Sequence, residues 1–217
     1  KYQKSLSFDG IDDYMDANNY KFETATNTFT MCLWVYPLNT RLSTSESSSG
    51  TSGMSNQRYA IAPEHGQNLY GYGHAGSGIS VGTNGISVFE HSSYYLTSTL
   101  VYDTDIVGWN HIVIVYNNKK PRLYLNGKFV KEGLTSEYVV HPSSLLGNLF
   151  TYGPFEGMID EVIIYDRALS DIEISTLYHA ASLNSNVKLF LSHGQKLPYP
   201  NNQITVTCNN IRDLYGN

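Results

Sequence analysis

Trp109-Asn110-His111-Ile112-Val113-Ile114-Val115-Tyr116, then Asn117-Asn118-Lys119-Lys120-Pro121, then Arg122-Leu123-Tyr124-Leu125-Asn126-Gly127-Lys128-Phe129-Val130 is the stretch that decides the fold class. Its apolar runs are β-branched and aromatic, residues that suit a pleated surface, and a polar, proline-containing break separates them. Asn126-Gly127 supplies the two positive φ angles of a type I′ turn, so the chain after Leu125 should reverse into a hairpin.

A second unit lies downstream. Glu156-Gly157-Met158-Ile159-Asp160-Glu161-Val162-Ile163-Ile164-Tyr165 reads as a strand interrupted by a charged pair. It runs into Asp166-Arg167-Ala168-Leu169-Ser170-Asp171-Ile172-Glu173-Ile174, where Ser170 can cap a short helix near 170–179 and Glu173 holds the capping-box position. Upstream, residues 28–36 place Phe29, Met31, Leu33 and Val35 on one face and Thr30, Cys32, Trp34 and Tyr36 on the other. Both faces are largely apolar, which predicts a central strand covered on both sides.

Strands are also expected at 4–8, 14–17, 59–62, 79–82, 86–89 and 99–101. Between them, Asp9-Gly10-Ile11-Asp12-Asp13 reads as a turn. The Ser/Thr/Gly-rich tract 40–56 reads as a long mobile loop, either built for specificity or a tolerated insertion. Gly71-Tyr72-Gly73-His74-Ala75-Gly76-Ser77-Gly78 lacks the lysine and following helix of a phosphate loop and reads as a flexible connection.

Composition narrows the function. The 217 residues are 41% hydrophobic and only 15% charged, with 18 tyrosines, which fits an extracellular β-protein better than a cytosolic helical enzyme. The net charge of −5 comes without a basic block, which excludes a nucleic-acid footprint. No apolar run is long enough to span a bilayer. Lys1 in place of an initiator Met suggests a processed product or an excised domain. Two cysteines, Cys32 and Cys208, are too few for a disulfide scaffold; whether they bond to each other is left open by their spacing. The seven histidines show no metal-ligand spacing, and no Gly-x-Ser-x-Gly elbow is present.

From Leu6 to Tyr178 the chain resembles the laminin-G-like, concanavalin A-like jelly-roll domains of bacterial secreted and surface proteins. The resemblance rests on Leu6-Ser7-Phe8-Asp9-Gly10-Ile11-Asp12-Asp13-Tyr14, Phe29-Thr30-Met31-Cys32-Leu33-Trp34-Val35-Tyr36-Pro37, Ile79-Ser80-Val81-Gly82-Thr83-Asn84-Gly85, the Trp109 hairpin, and Ile159-Asp160-Glu161-Val162 with Ala168-Leu169-Ser170. It implies an all-β, antiparallel jelly-roll sandwich over 1–180, with 181–217 as edge strands or the start of a linker. It also implies that Trp34 and Trp109 pack in the core.

The same resemblance frames the chemistry. Glucanases of this superfamily carry Glu, Asp and Glu on one strand face. Here Glu156, Met158 and Asp160 share the face, so methionine breaks the carboxylate set and no catalysis is expected. Related sandwiches hold a structural calcium in rim turns, so Asp9, Asp12 and Asp160 are the expected calcium ligands; the alternative is that Asp9 and Asp12 make Asx-turns and Asp160 pairs locally. Sugar binders stack aromatic rings on sugar faces, which singles out Tyr70, Tyr72, His74, Tyr94, Tyr95 and Tyr152 in Gly/Ser-rich segments. The expected function is a non-catalytic module that binds a glycan or another surface ligand within a larger secreted or surface protein. The alternative is a structural adhesion, appendage or virion module making protein–protein contacts.

Overall fold

The computed structural model describes residues 4–17, 20–148, 152–181, 190–192 and 207–209. In chain order its strands are β1 (Leu6–Asp9), β2 (Tyr14–Asp16), β3 (Phe29–Pro37), β4 (Tyr59–Ala62), β5 (His74–Gly82), β6 (Gly85–His91), β7 (Leu96–Asp103) and β8 (Asn110–Asn117). They continue with β9 (Lys120–Leu125), β10 (Lys128–Glu132), β11 (Val139–Pro142), β12 (Leu145–Leu146), β13 (Glu156–Tyr165), β14 (Phe190–Ser192) and β15 (Thr207–Asn209). Two helices, α1 (Gly66–Tyr70) and α2 (Asp171–Ala181), complete the described elements.

One sheet has the order β1-β13-β3-β8-β9-β10, with β14 added parallel to β13; the other runs β15-β2-β12-β4-β5-β6-β7, with β11 added parallel to β5. The remaining pairings are antiparallel. The core fills the space between the sheets: Phe29, Met31, Leu33 and Val35 of β3 meet Ile61, Ile79, Val81 and Val88 of the opposite sheet. Phe29 and Tyr116 stack there with ring centroids 4.7 Å apart. The expected all-β sandwich is the fold.

Several local readings hold in detail. Asn126 and Gly127 take φ of 52° and 78° between β9 and β10, and Asn118 and Lys119 make a second such turn before β9. The outer face of β3 is covered, as its apolar pattern required: Cys32, Val113, Val115 and Tyr124 pack under Leu169 and Ile174 beside and within α2. Trp34 stacks on Tyr178 of α2 at 5.7 Å. Ser170 and Glu173 form the capping box, with Ser170 N–H donating to the Glu173 carboxylate at 2.8 Å and Glu173 N–H donating to Ser170 Oγ at 3.4 Å.

Other expectations are corrected. Trp109 is only partly buried and lies edge-on to Tyr36 at 6.0 Å, because it precedes β8 at the end of the sandwich. The tract 40–56 is pinned along the edge strand β7: Gly53 N–H donates to Leu96 O at 3.0 Å, Ser47 N–H to Ser98 O at 2.9 Å, and Val101 N–H to Glu46 Oε1 at 2.9 Å. These bonds occupy an edge that would otherwise be open to pairing with another chain. His74–Gly78 belong to β5, where glycine serves close packing and not flexibility. A five-residue helix α1, capped by His65 Nδ1 accepting from Asn68 N–H at 3.3 Å, was too short to leave a periodic signal.

Cys32 is buried and free, and Cys208 lies in β15 of the other sheet. Most of 181–217 lies outside the described residues; its described strands, β14 and β15, pair with β13 and β2. No helix among the described residues is long and apolar enough to cross a membrane.

Candidate functional site

After β4 the chain continues as Pro63-Glu64-His65-Gly66, and glycine decides where this segment can lie. A Cβ on Gly76 would come 2.3 Å from Glu64 O, one on Gly78 would come 2.4 Å from Pro63 N, and one on Gly66 would come 2.3 Å from the Ala75 Cα. Three absent side chains therefore let 63–66 lie flush against β5. That contact raises Glu64 and His65 over the sheet face that points away from the core.

There they border a cleft of about 600 Å³. Its floor is apolar: Tyr59, Leu96 and Leu145 belong to a small buried cluster separate from the main core. Its polar wall carries Asp16, Glu64, His65 and His91, and Tyr94 and Tyr152 stand at the rim. The floor is fixed by Tyr59, whose hydroxyl donates to Gly53 O at 2.6 Å.

The electrostatics of the wall follow from burial. His91 Nδ1 lies 3.2 Å from Pro63 O, and its ring centroid is 4.5 Å from that of His65. Burial, with a smaller contribution from His65, lowers its pKa to about 4. The ring is neutral near pH 7; since a carbonyl only accepts, Nδ1 carries the proton and Nε2 is left as an acceptor. Glu64 is pushed up to about 7, chiefly by burial and further by the charge of Asp16, against the opposing hydrogen bonds from Ser144. Ser144 N–H donates to Glu64 Oε2 at 2.8 Å, and the Glu64 N–H donates to Ser143 Oγ at 2.9 Å. Neutral acceptors, a carboxyl and exposed aromatic rings around an apolar floor make a surface suited to a ligand with both an apolar face and hydroxyls.

Of the residues singled out in the sequence, Tyr94 and Tyr152 line this cleft. Tyr95 is partly exposed and Tyr72 is 92% exposed, and neither is among the lining residues. Tyr70 stacks flat on His141 with centroids 3.6 Å apart, and its hydroxyl accepts from Phe22 N–H at 3.0 Å. His74 Nδ1 and His141 Nε2 share a hydrogen bond of 2.8 Å. These two residues knit β5, β11 and the segment before β3 together. Four histidines that look scattered in sequence thus meet as two pairs, His65 with His91 and His74 with His141. Asp16, Glu64, His65 and His91 were missed; the one local signal was a charged, imidazole-bearing pair set between Pro63 and Gly66 directly after an apolar strand.

The acidic turn is also rearranged. Asp9, Asp12 and Asp13 bring one carboxylate oxygen each within 4.8 Å of one another, a group that could hold a metal ion. Asp13 takes the place expected for Asp160. In the β1/β13 register Asp9 faces Glu156, four residues along the strand from Asp160, or roughly 13 Å at strand rise. Asp160 is instead buried at the β13 bulge, where Oδ1 accepts from Glu161 N–H at 2.8 Å and burial raises its pKa. Local bonds share the turn: Asp9 Oδ1 accepts from Ile11 N–H and Asp13 Oδ2 from Asp9 N–H.

A family model described as Concanavalin A-like lectin/glucanases superfamily, Laminin_G_3, matches residues 9–175. No curated protein matches the chain. Among solved structures it is similar to a native heptameric SAP-like pentraxin from Limulus polyphemus, with 12% identity, a TM-score of 0.51 and 81% of each chain covered. It is also similar to the binding domain of botulinum neurotoxin serotype D, with 15% identity and a TM-score of 0.51, over 82% of this chain and 43% of that one. Domain 4 of an extracellular arabinanase from Geobacillus stearothermophilus, in complex with arabinotriose, has 22% identity and a TM-score of 0.44, over 70% and 67% of the two chains. At these identities the likeness to solved structures is one of fold.

Proposed function

Since the chain belongs to the concanavalin A-like lectin/glucanases superfamily, we propose that it is a non-catalytic glycan-binding module of a larger secreted or surface protein, and that the cleft beside Glu64 is its binding site. The observation that carries this reading is the cleft itself, with an apolar floor between a polar wall and the exposed rings of Tyr94 and Tyr152. A pyranose offers one apolar face and a belt of hydroxyls, so it needs both surfaces at once. The rest of the sandwich supplies a rigid frame for the connections that bear those residues.

The test is calorimetric titration with neutral oligosaccharides. Tyr94→Ala and Tyr152→Ala should each weaken binding by about tenfold, the equivalent of one lost aromatic platform. Both side chains are exposed and outside the buried core, so thermal stability should change little. Tyr72→Ala serves as the control, since that residue lies outside the cleft lining. Equal weakening by all three substitutions would move the site away from the cleft. Incubation with polysaccharides should release no reducing ends, because Met158 stands between Glu156 and Asp160 on β13 and leaves no paired carboxylates there.

The Asp9, Asp12 and Asp13 group supports calcium as a structural ion, since three carboxylates on one turn match the oxygen preference of a hard cation. A cation bound only by the folded chain raises its stability by mass action. Excess chelator should therefore lower the melting temperature by a few degrees, and Asp12→Asn should abolish that response. A melting curve indifferent to chelator, with no metal found by elemental analysis, contradicts the assignment.

A further inference from the structure

The polar wall of the cleft is acidic: its described lining contributes the carboxyl groups of Asp16 and Glu64, and no Lys or Arg is among those described lining residues. Glu64 is the informative member. It is 92% buried, at 8% exposure, yet it borders the cleft. Its Oε2 is engaged by the Ser144 N–H at 2.8 Å and by the Ser144 hydroxyl at 3.5 Å, while Oε1 has no hydrogen-bond partner among the described residues. The strand-flush path of 63–66 fixes the backbone from which this carboxyl projects, and the Ser144 N–H holds its Oε2.

A buried carboxyl with one unengaged oxygen, close enough to Asp16 to feel its charge, has a standing electrostatic cost. A cation in the cleft removes that cost, and an ammonium carries three donors to offer to such an oxygen. An anionic ligand increases it. In the same lining, His91 presents a neutral ring with an acceptor at Nε2, which also favours a donor-rich partner.

We propose that the cleft selects glycans carrying a free amino group, with Glu64 receiving the ammonium while the Tyr94 and Tyr152 rings hold the sugar face. The inference rests on the glycan-binding reading above and deepens it: the ligand class is an amino sugar, not a sialylated, uronic or sulfated one.

The experiment compares glucosamine oligomers with N-acetylglucosamine oligomers of the same length, and with a sialylated oligosaccharide, by calorimetry near pH 7, where the Glu64 carboxyl is partly ionised. The free amine should bind about tenfold more tightly than the acetylated sugar, the scale of one hydrogen bond to a charged group. Raising salt should erode that preference in part, because a pair with one buried partner is screened less than an exposed one but is still screened. Glu64→Gln should bring the affinities of the two oligomers together. If Glu64→Gln does not fold, the wild-type salt dependence decides the matter. Equal, salt-independent binding of both oligomers, or preference for the sialylated ligand, overturns the amino-sugar assignment alone. No binding of any of the three overturns the glycan reading together with it.

Discussion

Trp34→Ala should destabilise the domain by about 3–5 kcal/mol, the range for deleting a fully buried aromatic side chain. Trp34 is 3% exposed and lies between the outer face of β3 and α2, with Tyr178 stacked on it at 5.7 Å and His111 at 5.2 Å. Removing the indole opens a cavity that neither the sheet nor the capped helix can fill by a small shift, and α2 loses the ring on which Tyr178 stacks. Trp109→Ala should cost about 1–2 kcal/mol, because that side chain is partly solvated and meets Tyr36 only edge-on. Urea unfolding monitored by far-ultraviolet dichroism measures both. Equal losses from the two substitutions would show that the helix-covered face contributes no more than the end of the sandwich.

Glu90→Gln should become progressively more favourable relative to wild type as pH rises. Glu90 is completely buried between the sheets, where the Tyr116 hydroxyl donates to Oε1 at 2.8 Å and the Ser136 hydroxyl donates to Oε2. Burial is the main cause that lifts its pKa from 4.5 to about 7, with the hydroxyl bonds opposing it. A carboxyl whose folded pKa is raised contributes stability that is complete below about pH 4.5 and is lost as pH rises through about 7. Glutamine keeps the shape and cannot ionise. The stability difference between variant and wild type should therefore shift in favour of Gln by on the order of 3 kcal/mol between about pH 4.5 and pH 9. Glu64 titrates in the same range but is present in both proteins, so it cancels in the difference. A difference that stays constant with pH would mean Glu90 remains ionised, or remains neutral, throughout.

Residue patterns revealed those parts of the fold that are governed by neighbours in sequence. The Asn126-Gly127 turn, the Ser170/Glu173 capping box and the two apolar faces of β3 each depend on a handful of adjacent residues, and each is found where the pattern placed it. Trp109 was misjudged because being next to a strand says nothing about how close that end of the strand lies to solvent. The Gly71–Gly78 stretch was misjudged because glycine lowers strand propensity; its value here lies in what packs against it, which is set by residues 63–66. The cleft was the least legible feature. It unites four separate parts of the chain, residue 16, residues 64 and 65, residues 91 and 94, and residue 152, and only tertiary pairing brings them together. The acidic turn lay between these extremes: its carboxylates stood out in the sequence, but that Asp13 and not Asp160 lies beside Asp9 and Asp12 depended on the turn's conformation and the β1/β13 register.

The contact of 63–66 with Gly76 and Gly78 divides the binding surface into two parts with different freedom to change. Glu64 and His65 sit on a backbone path that exists only while two positions on the neighbouring strand carry no side chain, so altering that floor demands coordinated substitutions and puts folding at risk. Tyr94 and Tyr152 stand exposed at the rim, at 81% and 41%, and can be exchanged one at a time. Laboratory selection for new ligands on this scaffold should accordingly accumulate changes at 93–95 and 152 while leaving 63–66, 76 and 78 untouched, so that the preferred sugar can drift over a fixed electrostatic floor.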